Sequence, residues 1–190
     1  MMKHVFISVI ILSVLVSCRQ AENNAGEKEQ GHETTTQHAK PSRDSLVQHI
    51  TSMEKELHKS DELETTEANS MIVAYVNFAN HFKKDTLTPE YLFRSAELAM
   101  NVNRFNDAVA YLTRISNNYP DYKNMPFVIY YQGFIYDSMI ENDSLAETYY
   151  KQFLKSYPDH YRASEVEAMI ENLHKSDLEL VHEFEKNEAN

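Results

Sequence analysis

This 190-residue chain has one cysteine, three glycines, five prolines and no tryptophan. With one cysteine no disulfide can close within the chain, so packing alone must hold the fold. Three glycines exclude a glycine-rich phosphate loop, and no Gly-x-Ser-x-Gly nucleophile elbow occurs. Positive charge is scarce: 18 Lys and Arg stand against 29 Asp and Glu, a formal net charge of −11. That balance disfavours nucleic acid and anionic lipid surfaces, which reward clustered cations. No apolar run reaches the roughly 20 residues that span a bilayer. Acidic pairs such as Glu165/Glu167 stand two apart and point to different sides of a helix, so they read as solvated faces. His32-Glu33 lacks the histidine one turn later that a zinc-protease helix needs, since His38 falls two residues too late. The expectation is therefore no metal, no cofactor and no catalysis.

The one long apolar run is short and sits at the start. Residues 5–16 follow Lys3, the only charged side chain among the first seventeen, and have the length of a signal-peptide core. Cys18 closes that run. A catalytic thiolate needs a base or helix N-terminus beside it, and Arg19-Gln20-Ala21-Glu22 offer neither. Leu15-Val16-Ser17-Cys18 resembles the lipobox of bacterial lipoproteins. That resemblance implies a signal peptide over 1–17 and a lipidated Cys18 as first residue of the mature chain; an ordinary secretory signal with a chance cysteine is the alternative. The mature chain would carry 17 basic against 29 acidic residues, a balance of −12. Several acyl chains, at about 0.8 kcal/mol per buried CH₂, anchor a protein without a spanning helix. Residues 19–42 lack any large apolar side chain and hold Gly26 and Gly31, so 18–42 reads as a lipidated N-terminus followed by a disordered linker spanning roughly 25–30 Å.

From residue 43 the pattern turns helical. Leu46, Ile50, Met53 and Leu57 recur at spacings of four, three and four, one face of a helix. Three segments then repeat. Anchored on Phe82, Tyr119 and Tyr157, they carry Phe78, Ile115 and Phe153 four residues earlier. Seven earlier stand Tyr75, Leu112 and Tyr150, and eleven earlier Met71, Ala108 and Ala146. The interval is 37 and then 38 residues. Pro89 and Pro126 each lie seven residues past an anchor and open a further helix, with Thr88 and Asn124 expected as N-caps and Ser164…Glu167 as a capping box. Leu92, Ala96 and Ala99 match Ile129, Gly133 and Tyr136, the small residues standing where helices cross closely.

The order large, small, aromatic, then Ala, aromatic, apolar, Tyr-Pro resembles the tetratricopeptide repeat. It implies an all-α stack of antiparallel helix pairs, right-handed, about eight helices over 43–190: a degenerate pair at 43–86, repeats at about 89–122 and 126–159, and capping helices at 164–187. The Tyr119-Pro120 and Tyr157-Pro158 endings are similar to those of envelope repeat proteins such as the barrel-assembly lipoprotein and Tol–Pal-associated repeat proteins. By that alignment Glu90, Phe93, Glu97 and Met100, then Phe127, Tyr130, Phe134 and Asp137, would line a groove. Aromatics beside carboxylates suit a peptide or basic segment, although several of these side chains would equally serve to pack on the first pair. The expectation is a lipid-anchored adaptor of the outer membrane, periplasmic side, binding another envelope protein or peptide. A ligand- or glycan-binding lipoprotein for uptake is the alternative. Asp-Ser/Thr-apolar triplets at Asp44, Asp85, Asp137 and Asp143 resemble a bacterial O-glycosylation motif, and serve equally as turns and caps.

Overall fold

The computed structural model describes residues 41–57 and 64–173, together with 175, 179 and 186. All belong to one compact unit, 40–190. The signal peptide, Cys18, the linker up to residue 40 and the helix expected at 177–187 lie outside the described stretches.

Among the described residues there are seven α-helices and no strand. They are α1 (Arg43–Leu57), α2 (Thr65–His81), α3 (Thr88–Asn101), α4 (Phe105–Asn118), α5 (Met125–Ser138), α6 (Asp143–Ser156) and α7 (Ala163–Asn172). Each helix packs on its neighbours in chain order. The result is a stack of pairs, α1–α2, α3–α4 and α5–α6, with α7 laid on α6. No described helix is long and apolar enough to cross a membrane.

The repeated stripe is the core. Met71, Tyr75 and Phe78 of α2, Ala108, Leu112 and Ile115 of α4, and Ala146, Tyr150 and Phe153 of α6 are all buried, and the three anchors are half-buried. No helix pair can bury such a stripe alone, so the next pair must cover it. Ile50, Met71, Tyr75, Phe78 and Tyr91 form one cluster between α1, α2 and α3. The remaining core runs on from α2 to Val166 of α7. Gly133 fits closely here: a Cβ built on it would stand 2.5 Å from two ring carbons of Tyr150.

The turns between pairs also repeat. The anchor's N–H donates to the carbonyl four residues back in all three helices. Two further i→i+3 bonds follow each time, Asp85→Phe82 and Thr88→Asp85, Tyr122→Tyr119 and Met125→Tyr122, His160→Tyr157 and Ala163→His160. Three caps differ from expectation. Thr88 lies inside α3, fully buried, and its hydroxyl donates to the Phe82 carbonyl at 2.6 Å. Asn124 occupies the N-cap of α5 without a side-chain cap bond. Ser164 stands inside α7, whose N-cap position is Arg162. Side-chain N-caps form at Ser42, which accepts from the Ser45 N–H at 3.1 Å ahead of α1, and at Asn142, which accepts from the Leu145 N–H at 3.1 Å. Within the pairs, the tight turns put Asn103 and Glu141, 38 residues apart, at φ of 59° and 58°.

Candidate interaction surface

Helices α3 and α5 open the two successive repeats, each with proline in its first turn. Proline lacks an N–H there and its fixed φ suits the start of a helix. On α3 the spacing of three, four and three places Glu90, Phe93, Glu97 and Met100 on one face. The structure gives them unequal roles. Phe93 is only 7 % exposed. It is covered by Tyr122, centroids 6.0 Å apart, and by Tyr131, 5.8 Å. Met100 is half-buried against the core.

Glu90 is tied into a polar network. It accepts from Tyr122 Oη at 3.0 Å and Arg94 Nε at 3.2 Å, with Lys123 Nζ at 3.7 Å. Desolvation would push its pKa up, but these donors together hold it below the ordinary carboxylate range. Arg94 also donates from Nη1 to Glu54 of α1 at 2.6 Å, and Tyr75 Oη donates to the same oxygen at 2.8 Å. Glu97 behaves differently. It is half-buried, and among the described residues it has no hydrogen-bond or ion-pair partner. Burial first, then repulsion from Glu90, raises its pKa.

On α5 the expected face holds at Phe127 and Phe134, but Tyr131 takes the open place expected of Tyr130. Tyr130 is 6 % exposed. Its ring lies against Phe134 and Phe153, with the Arg162 guanidinium 4.9 Å from its centroid. Its hydroxyl donates to Glu165 Oε1 of α7 at 2.9 Å. Burial and that bond push the phenol up to about 12. Phe93 and Tyr130 hold equivalent places 37 residues apart, and both are covered by the next unit in the stack. They form the seam between repeats. Asp137, half-buried, accepts from Tyr150 Oη at 2.9 Å and so holds the α5–α6 pair together.

The partly open rings are Phe127, Tyr131 and Phe134. Phe127 faces Tyr131 at 6.4 Å and packs edge-on to His160 at 5.6 Å. Tyr161, 73 % exposed, stacks on His160 at 4.5 Å. Tyr122, Tyr131, His160 and Tyr161 escaped the sequence reading. Tyr131 was findable from its i,i+4 spacing to Phe127, whereas the others sit in turns with no periodic signal. A cleft of about 820 Å³ opens between the first two inter-pair turns, bordered by Leu87, Glu90, Arg94, Tyr119 and Tyr122.

Among the described residues this surface presents apolar rings and the Glu97 carboxylate, which has no hydrogen-bond or ion-pair partner there. Its chemistry is that of holding another chain. No curated protein matches this chain. Residues 90–122 and 127–160 match the family model described as tetratricopeptide repeat, on α3–α4 and α5–α6, so the chain carries two tetratricopeptide repeats and the stack of helix pairs they build.

Proposed function

We propose that this protein is a non-enzymatic adaptor, lipid-anchored through Cys18 on the periplasmic side of the outer membrane, that docks another envelope protein or peptide across α3 and α5. Tetratricopeptide repeats point to a protein-interaction scaffold. The observation that carries the reading is the half-open band of Phe127, Tyr131 and Phe134 on α5, with Glu97, which has no partner among the described residues, on α3. Aromatic side chains of this kind anchor interfaces because each removes a large apolar area from water at low entropic cost.

Replacing Phe93 and Tyr130 tests the wrong side chains, since both are seam residues whose loss opens the stack. The proper test places a photo-crosslinking residue at position 131 in cells and compares Phe127→Ala. A partner crosslinked at 131 and lost in Phe127→Ala, with the melting temperature of the variant held within a few degrees, is the expected result. An unchanged crosslinking pattern would sink the docking reading. The anchor is tested separately: Cys18→Ala is expected to leave the membrane fraction, and its retention there would refute the lipid tether. The exposed Tyr161–His160 stack favours the uptake reading to one extent, since flat exposed rings also hold sugars. Thermal melts with glycans and with peptides separate the two, a glycan-specific upward shift being the sign of uptake.

A further inference from the structure

We propose that Glu97 is the receptor for a cationic side chain of the docked segment, best an arginine, whose guanidinium pairs with the carboxylate and lies on the Tyr131 ring. This rests on α3 and α5 being a docking surface, as proposed above.

The cations on this side of the stack are committed to other carboxylates. Arg94 stands one turn before Glu97, yet its Nη1 is given to Glu54 and its Nε to Glu90. Lys123 lies against Glu90. Arg162 is held by Glu165, at 2.9 and 2.6 Å, and by the face of Tyr130. The Tyr122 hydroxyl, a neutral donor on this side, is used by Glu90. Glu97 is therefore a half-buried carboxylate with no hydrogen-bond or ion-pair partner among the described residues, and the longer-range pull of Arg94 is outweighed by burial. A carboxylate in that state is costly unless a partner brings a charge-assisted donor.

The surroundings select the donor. The Tyr122 and Tyr131 phenols both lie within electrostatic range of Glu97, which contributes to raising them after the larger effect of burial. Phe93, Tyr131 and Phe127 run side by side, with centroids 5.8 and 6.4 Å apart and planes inclined by 30° and 40°. A guanidinium is planar, weakly hydrated and able to stack on a ring while its edge hydrogen-bonds a carboxylate in two places. An ammonium makes the ion pair but stacks less well. A neutral amide satisfies one lone pair and leaves the charge unanswered. The occupant is thus an arginine-bearing segment of a partner, and the net charge of −11 favours the approach of such a segment.

The test uses the full-length protein and two fluorescein-labelled Gly-Ser octapeptides, one with two arginines and one with citrulline, a neutral isostere, in their place. Anisotropy titrations are expected to show the arginine peptide binding about tenfold more tightly, the size of one charge-assisted pair. Glu97→Gln is expected to reduce that preference to within about twofold. Glu147→Gln, which removes the ion pair with Lys151 on α6, should leave it unchanged. A wild-type protein with no preference for arginine, or a Glu97→Gln protein that keeps it, overturns the proposal. If the crosslink at position 131 persists in either case, the docking surface stands and only its cation receptor falls.

Discussion

Gly133 and Glu97 show how much single side chains decide here. Gly133 faces the fully buried ring of Tyr150, where an added Cβ meets ring carbons at 2.5 Å. The equivalent places one repeat earlier hold Ala96 and Leu112, a larger residue with a smaller one. Gly133→Ala gains about 1 kcal/mol in helix propensity, but overpacking against an immovable ring costs about 1–3 kcal/mol. The expected net effect is a lower melting temperature, and Tyr150→Leu in the same chain should recover part of it. A double-mutant cycle by chemical denaturation measures the coupling. Glu97 acts through charge. Its folded pKa is raised, so the folded state binds more protons than the unfolded one as the carboxylate titrates. Stability therefore falls as pH rises from about 4 through the folded value. Glu97→Gln removes that loss. It should melt higher than the parent at pH 7, with the difference vanishing near pH 4; an equal gain at both values would contradict the burial argument.

At the scale of elements, the turns differ more than the helices. The inter-pair turn recurs bond for bond three times, because each anchor aromatic ends its helix in the same backbone conformation. The intra-pair turn needs a left-handed residue. Asn103 accepts that conformation with little penalty, as asparagine often does, but Glu141 carries a Cβ that crowds the following carbonyl. Glu141→Gly is expected to raise stability by about 1 kcal/mol, and Asn103→Gly to change it by much less. Thermal denaturation of the two single variants checks the contrast, and equal effects would show that the turns are not equivalent.

Over the whole stack, stability is a sum of nearest-neighbour interfaces, so damage stays local. Helix α1 belongs to the pair that the family model does not match, and it is fixed by polar ties as well as by Ile50. Arg43 Nε donates to Asp85 Oδ2 at 2.5 Å, and Glu54 receives Tyr75 and Arg94. The Arg43 hydrogen bond is the chief reason that the Asp85 carboxyl is held below its ordinary range. Its contribution is present above about pH 4, the unfolded value, and is lost as pH falls through the folded one. Asp85→Asn should accelerate amide hydrogen exchange over 43–57 while α5 and α6 keep their protection. Equal loosening of α5 and α6 would mean that the stack melts as one body.

The sequence alone determined the helices and their repeat. The stripe of Tyr75, Leu112 and Tyr150 with its flanking rungs is a local property, since 3.6 residues per turn puts spacings of four, three and four on one side whatever the neighbours do. Proline at the head of α3 and α5 and a small residue at 96 and 133 were legible for the same reason. What covers a given face is set by side chains some 37 residues away, and only the tertiary structure decided that. The same periodicity that marked Phe93 and Tyr130 as groove residues cannot tell a face open to solvent from one capped by Tyr131 or Arg162. Nor can it show that Arg94 turns to Glu54 and Glu90, leaving Glu97 without a partner among the described residues. Periodicity fixes direction around a helix axis; burial and pairing depend on what the fold brings to meet it.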